Sequence, residues 1–190
     1  MDSSVVHILG ASGSGTSTLG RAMAEQWGYA WLDTDDFFWQ PTDPPYAQPR
    51  PVAERINRLR AAIAAAPRCA ISGSLCGWGG CFIPQLTLTV WLQTPTAVRL
   101  ARLRAREAAA FGARIAPGGD MYEAHERFIA WAATYDTAGP QTRSVARHAA
   151  WTAQLPCPVL RLDGTEPQQV NLARIRQALD RVRGDAQAPL

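Results

Sequence analysis

The stretch Gly10–Ser17 carries residue types at a spacing that binds phosphate. Its sequence, G-A-S-G-S-G-T-S, matches the pattern G-x-x-x-x-G-K-[ST] at Gly10, Gly15 and Ser17. Glycines let successive backbone N–H groups turn toward an anion, and a helix starting behind them adds its dipole. The serine hydroxyl is a ligand for Mg²⁺. The residues predicted to contact a bound nucleotide here are Gly10, Ser12, Gly13, Ser14, Gly15, Thr16, Ser17 and Thr18.

Thr16 stands where this pattern has a lysine, which contributes a point charge to the phosphates. The chain contains no lysine, and all 19 of its basic residues are arginines. A general replacement of lysine by arginine would place arginine at position 16, so it does not explain the threonine. An ordinary glycine-rich turn is the alternative interpretation of the loop, but the strand and helix that the motif requires flank it in the sequence.

Arginines are the candidates for the missing charge, because a guanidinium is always charged and grips phosphate oxygens in pairs. Arg102 and Arg106 lie four residues apart on one face of a predicted helix that leads into a glycine-rich loop. We predict that this pair acts in catalysis. Arg114 inside that loop, and the pair Arg143 and Arg147, remain open alternatives, and each of these arginines also suits a solvated face.

An acidic cluster, Asp33, Asp35 and Asp36, follows the second predicted strand. One carboxylate of such a cluster can hold Mg²⁺, and another can orient an acceptor hydroxyl and take its proton. We predict that residues of this cluster act in catalysis, that one of them binds the metal together with Ser17, and that others, including Asp36, bind substrate. A solvated turn that caps a helix is the alternative interpretation.

Small residues and one indole follow the third predicted strand. Ser74 leaves room for a ligand at the same edge of the sheet, and Trp78 offers a ring on which a ligand could stack. We predict both as substrate-binding residues, with ordinary loop packing as the alternative.

Short apolar runs alternate with longer helical patterns, which predicts an α/β fold with a parallel sheet. In such sheets ligands lie outside the carboxyl ends of the strands, where both the loop and the acidic cluster are expected. The predicted strands cover 5–9, 29–33, 68–72, 86–93 and 158–162. The predicted helices cover 15–27, 52–66, 94–110, 121–135, 141–155 and 167–183. One domain over 1–190 accommodates them all.

Composition excludes several other classes of protein. Apolar residues make up 47% and charged residues 18%, as in globular chains. No apolar run reaches the roughly 18 residues of a membrane span, and the N-terminus lacks the pattern of a signal peptide, so we expect a cytoplasmic protein without a membrane partner. The net charge of +3 does not single out nucleic acid, and the four cysteines match no zinc motif.

Together the loop, the Asp33–Asp35 pair and the arginine-bearing helix resemble the adenylate-kinase and shikimate-kinase group of P-loop kinases. The resemblance covers nearly the whole chain. It implies a three-layer fold with sheet order 2-3-1-4-5, helices on both faces, an acceptor-binding insert at about 37–66 and a lid at about 107–120. It also implies ATP and Mg²⁺, adenine near Gly164 and Thr165, and an acceptor phosphate at Arg50. The resemblance further implies that Asp33 and Asp35 are catalytic residues, with Asp33 as the metal ligand and Asp35 bound to the acceptor.

Two functions remain in competition on the sequence alone. The first is a small-molecule kinase that transfers the γ-phosphoryl group of ATP to a nucleoside, a nucleotide or a hydroxyl compound. The second is a nucleotide-binding sensor or pseudo-kinase, for which Thr16 is the motive. The predicted partners are a nucleoside triphosphate, with ATP and GTP both open, and a small-molecule acceptor.

Overall fold

A single five-stranded sheet organises the chain, as seen in a computed structural model that describes residues 3–187. All neighbouring strands are parallel and the order is β2-β3-β1-β4-β5, which confirms the predicted α/β class and topology. The strands are β1 (Ser4–Gly10), β2 (Ala30–Asp33), β3 (Arg68–Ser72), β4 (Leu88–Gln93) and β5 (Val159–Asp163).

Seven α-helices within the described residues connect and flank these strands. They are α1 (Thr16–Trp27), α2 (Thr34–Phe38), α3 (Val52–Ala65), α4 (Thr96–Phe111), α5 (Tyr122–Ala133), α6 (Val145–Thr152) and α7 (Gln168–Gln187). The sequence did not predict the short helix α2. The helix predicted over 141–155 is shorter, because Ser144 accepts a hydrogen bond from the Arg147 N–H and starts α6 there.

The hydrophobic core has two halves, one on each face of the sheet. On one face Leu19 and Met23 of α1 pack with Ile175 of α7. On the other face Leu59 of α3 packs in the same cluster as Trp151 of α6. Each fully buried side chain of this size contributes about 1.5–3 kcal/mol. Strand β1 is buried along its whole length, as the central strand of a parallel sheet should be.

Strand register brings the predicted functional segments to one edge of the sheet. Asp33 pairs with Ser72 across β2 and β3, and Ser72 pairs with Ile8 near the end of β1. The loop after Gly10 therefore lies beside the acidic cluster. Within residues 3–187 no helix has both the length and the apolar character needed to cross a membrane.

Candidate active site

The loop between β1 and α1 is an open nest of backbone N–H groups. Gly13 and Gly15 have φ of 79° and 101°, the left-handed conformation that favours glycine. Across the part of the chain that the structure describes, no protein group accepts a hydrogen bond from the backbone N–H of Gly13, Gly15, Thr16 or Ser17. Four free donors at the start of a helix suit the oxygens of a polyphosphate.

The Ser17 hydroxyl joins this loop to the acidic cluster. It donates a hydrogen bond to Oδ2 of Asp33 over 2.6 Å. The other Asp33 oxygen accepts from the Asp35 N–H over 3.1 Å and caps α2. Asp33 is thus a helix cap and also a neighbour of Ser17. The helix-cap interpretation therefore does not conflict with the predicted role as a metal ligand.

A magnesium ion would suit Ser17 and Asp33 in the manner that is usual for this ion. The described residues contain no group of three or more His, Cys, Asp or Glu side chains that could hold a metal. Mg²⁺ commonly uses only one or two protein oxygens and completes its shell with phosphate and water. A hydroxyl and a carboxylate 2.6 Å apart, next to a phosphate nest, match that donor set.

Asp35 is a free carboxylate in the cleft beside the loop. Its side chain is exposed, and no hydrogen bond from any described residue reaches its carboxylate oxygens. The surrounding protein raises the pKa of Asp35 through desolvation, which the charge of Arg143 partly offsets and the Asp33 carboxylate reinforces. Asp36 is also exposed, and desolvation by the surrounding protein is again the main reason why its pKa is raised.

The arginines predicted on α4 face two different neighbours. Arg102 donates to the carbonyl oxygens of Ser14 (3.4 Å) and Gly164 (3.0 Å). There it lines a cavity of about 300 Å³ between the start of α1, Gly164 and the start of α7. Arg106 forms an ion pair with Glu107 over 2.7 Å.

The turn after β5 contains Thr165, which was predicted to lie near adenine. The Thr165 hydroxyl and N–H both bond to the Asp163 carboxylate.

Arg143 contacts the phosphate loop directly, although no sequence pattern ranked it above the other arginines. Its guanidinium donates to the Ser12 hydroxyl over 3.3 Å. The same guanidinium lies 5.7 Å from the ring centre of Trp131. The sequence signal was only its spacing from Arg147, which instead bonds to the backbone carbonyls of Pro140 and Gln141.

Comparison with known sequences places the chain in a family. No protein-family model matches it. It is 40% identical over 158 residues to the uncharacterized protein YqaC of Bacillus subtilis (strain 168), covering 83% of this chain and 87% of that protein. The chain belongs to the YqaC family. A cytidylate kinase from Pyrococcus furiosus is 32% identical over 115 residues, which cover 54% of this chain and 57% of the kinase.

Solved structures show that this YqaC-family chain has the P-loop kinase fold. A gluconokinase from Sinorhizobium meliloti 1021 superposes with a TM-score of 0.53 at 16% identity, over 96% of this chain and 95% of the other. A shikimate kinase from Aquifex aeolicus gives a TM-score of 0.53 at 14% identity, over 97% and 99%. Identities this low establish the fold.

Three residues predicted to bind substrate in this YqaC-family member bond to other protein groups. Ser74 is 8% exposed and hydrogen-bonds to His148. Trp78 is 7% exposed and donates its indole N–H to the Ser74 carbonyl, so core packing takes the ring that was predicted to stack on a ligand. Arg50 forms an ion pair with Glu54 over 3.1 Å.

Trp39 and Tyr46, two aromatic residues without a sequence prediction, pack together, and Tyr46 lies within reach of the charge of Asp35. The rings of Trp39 and Tyr46 meet edge to face with centroids 6.1 Å apart. Tyr46 is 53% exposed, and desolvation followed by the charge of Asp35 raises its pKa. Nearby, Arg114 pairs with Asp43 over 2.7 Å and so joins the predicted lid to the predicted insert.

A buried polar chain lies behind the cleft. The Trp91 indole donates to the Tyr135 hydroxyl over 3.3 Å, and that hydroxyl bonds to Nδ1 of His148 over 2.8 Å. Burial lowers the pKa of His148 to about 3. His7, fully buried on β1, bonds to the Gly73 carbonyl, and burial lowers its pKa to about 4. Both rings are therefore neutral in the native protein near pH 7.

These two histidines make the fold sensitive to acid. The unfolded chain binds their protons near pH 6.5, whereas the native chain does so only near pH 3–4, so stability falls as pH drops through this window. We expect the free energy of unfolding to decrease by about 3 kcal/mol between pH 7 and pH 5. Urea unfolding at several pH values measures this, and His148→Gln should remove about half of the slope. An equal slope in that variant would contradict the assignment.

Proposed function

We propose that this protein is a small-molecule kinase that transfers the γ-phosphoryl group of ATP, with Mg²⁺, to a small acceptor. The observation that carries the proposal is the 2.6 Å contact between Ser17 and Asp33, which joins the phosphate loop to the acidic cluster. It supports a cleft with three functional parts: free loop amides, a pair of metal ligands and the unpaired carboxylate of Asp35. A protein that only bound nucleotide would not need the third part.

The donor side is formed by the loop and the cavity next to it. The backbone amides of Gly13, Gly15 and Thr16 hold the phosphate chain, helped by the dipole of α1. The nucleobase occupies the cavity of about 300 Å³ lined by Arg102 and Gly164. This assigns Arg102 to the nucleobase side rather than to the transferring group.

Ser17 and Asp33 hold the metal. When bound, Mg²⁺ neutralises charge that develops on the β- and γ-phosphates during transfer. The Ser17 hydroxyl directs its proton to Asp33, so its lone pairs remain free for a ligand. Because asparagine also caps helices well, Asp33→Asn is the substitution that best separates the metal from the fold.

Asp35 and the neighbouring aromatic rings form the acceptor side. The Asp35 carboxylate accepts a hydrogen bond from the acceptor hydroxyl and takes its proton as the acceptor oxygen bonds to the γ-phosphorus. The bond from that phosphorus to the β,γ-bridging oxygen breaks in the same step, and ADP leaves. Asp36 lies one residue along, and the exposed faces of Trp39 and Tyr46 can hold a flat or ring-shaped acceptor. A nucleoside, a nucleotide or a hydroxyl compound fits this description, and the names of the similar kinases span the same range.

An acceptor screen tests the proposal. The protein is incubated with MgATP or MgGTP and a panel of nucleosides, nucleoside monophosphates, sugars, sugar acids and polyols, and release of the nucleoside diphosphate is followed. Release that depends on one acceptor supports the kinase. Tight nucleotide binding without turnover on the whole panel would favour the alternative, a sensor, for which the threonine at the lysine position of the loop is the specific observation.

Asp33→Asn should raise the Mg²⁺ concentration needed for half-maximal turnover by about 10- to 100-fold. The reason is the loss of one anionic ligand next to Ser17, while the amide still caps α2. The measurement is a Mg²⁺ titration of turnover at saturating ATP and acceptor. An unchanged Mg²⁺ requirement with a normal unfolding midpoint would remove Asp33 from the metal site.

A further inference from the structure

We propose that Arg143 supplies to the transferring phosphoryl group the positive charge that phosphate loops take from a lysine, which is absent at Thr16. This inference rests on the proposed function and gives a specific catalytic role to one residue. The chain has no lysine anywhere, so the compensating cation must be an arginine of this chain, a bound metal or a partner. The contacts of Arg143 favour the first.

Arg143 contacts the donor loop, and its charge acts on the acceptor carboxylate of Asp35. Its Nη1 is 3.3 Å from the hydroxyl oxygen of Ser12, the third residue of the loop that starts at Gly10. Its charge is also close enough to lower the pKa of Asp35, against the larger effect of desolvation. A phosphoryl group held at the loop would therefore start its transfer beside the Arg143 guanidinium.

The Arg143 guanidinium keeps its charge available. No carboxylate among the residues from 3 to 187 forms an ion pair with it, and its one hydrogen-bond partner there is the neutral Ser12 hydroxyl. The competing arginines are occupied: Arg106 by Glu107, and Arg114 by Asp43 and Asp120.

The positions of Arg102 and Arg147 argue against either of them as the compensating cation. Arg102 is bonded to the Ser14 and Gly164 carbonyls on the nucleobase side. Arg147, in the first turn of α6, donates to the carbonyls of Pro140 and Gln141. Arg143 is thus the arginine that combines contact with the loop, proximity to Asp35 and an unneutralised charge.

The neighbours of Arg143 hold it in place before any phosphate arrives. The Trp131 ring lies 5.7 Å from the guanidinium carbon, a cation–π distance. The indole N–H of Trp131 donates to the Thr142 hydroxyl over 2.9 Å, which fixes the ring against the residue preceding Arg143. A guanidinium held in this way can donate two parallel hydrogen bonds to phosphate oxygens, which an ammonium cannot do.

The test compares binding of a triphosphate with binding of a diphosphate, because Arg143 should contact only the terminal group. Arg143→Gln should weaken binding of the magnesium complex of the non-hydrolysable β,γ-imido analogue of ATP by about 10- to 100-fold in calorimetry. Binding of MgADP should change by less than about threefold. Arg147→Gln is the matched control, four residues later in the first turn of α6, and should leave both affinities unchanged.

Restoring the loop lysine makes the test specific to charge. Thr16→Lys in the Arg143→Gln background should recover at least about tenfold of the lost triphosphate affinity. In the native background the same substitution should gain less than about threefold, because the charge is already present. Even if Arg143→Gln fails to fold, a gain of tenfold or more from Thr16→Lys alone would overturn the inference.

The outcomes separate this inference from the proposed function. Suppose that the native protein turns over an acceptor. If Arg143→Gln then weakens triphosphate and diphosphate binding equally, or weakens neither, the proposed kinase function stands and the proposed role of Arg143 is wrong. If the native protein binds no magnesium nucleotide at millimolar concentration, both fall.

Discussion

Asp35→Asn should lower acceptor-dependent turnover by about 10²- to 10⁴-fold, the range that a positioned general base contributes. The amide has nearly the same shape but cannot take a proton from the acceptor hydroxyl. Since Asp35 lies outside the phosphate loop and its carboxylate bonds to no described residue, ATP affinity should stay within about threefold. The measurement is steady-state ADP release with the acceptor found in the screen, together with calorimetric binding of the imido analogue of ATP.

Asp36→Asn is the control for Asp35→Asn, because it changes the adjacent exposed carboxylate on the same short helix. It should cost much less turnover than the Asp35 substitution. The native enzyme should also lose activity at low pH, since the raised pKa of Asp35 brings its protonation closer to neutrality than that of an ordinary aspartate. Equal losses from both substitutions would mean that neither carboxylate acts as the base.

The parts of the fold that follow from local sequence patterns were predicted well. The third strand was placed at 68–72, as observed, because an apolar run is bounded there by Pro67 and Gly73. The loop was found from the spacing of Gly10, Gly15 and Ser17, which are all close in the chain. Sheet order came from resemblance to a known group, because the order of parallel strands is a property of the whole topology.

The parts of the site that depend on distant contacts were not predictable from one sequence. Arg143 and Ser12 are separated by 131 residues, and nothing local to either residue indicates that they meet. Trp78 is of a residue type that often stacks on ligands. The turn after β3 nevertheless points its indole back onto the Ser74 carbonyl and into the core. Burial of an aromatic residue is decided by the elements that pack over it, here the 3-10 turn that contains Phe82.

The loop is supported from behind by a buried arginine that sequence reasoning also missed. Arg99 in the first turn of α4 has no solvent exposure. It donates to the carbonyls of Thr94 (3.0 Å) and Ala132 (3.1 Å) and pairs with Asp136. The Thr94 hydroxyl in turn donates to the Ser14 carbonyl of the phosphate loop over 3.2 Å. A chain of hydrogen bonds therefore connects α5 to the loop through Arg99.

The main-chain carbonyl of Arg99 also shapes the loop. It lies so close to Gly13 that a Cβ at that position would be 2.6 Å away, which is closer than a Cβ approaches another atom in real structures. Glycine at position 13 therefore allows α4 to pack this closely against the loop. Loss of the Arg99 side chain should therefore affect both the stability of the protein and its affinity for nucleotide.

Arg99→Ala should lower the free energy of unfolding by about 3–5 kcal/mol, since it opens a buried cavity and leaves two buried carbonyls without donors. Urea unfolding measures this against Arg104→Ala, which removes an exposed arginine of the same helix and should change stability by less than about 0.5 kcal/mol. Because Thr94 would lose its anchor, MgATP affinity should also fall in Arg99→Ala under conditions where the variant is still folded. A stable variant with normal nucleotide affinity would show that the loop holds its shape without support from α4 and α5.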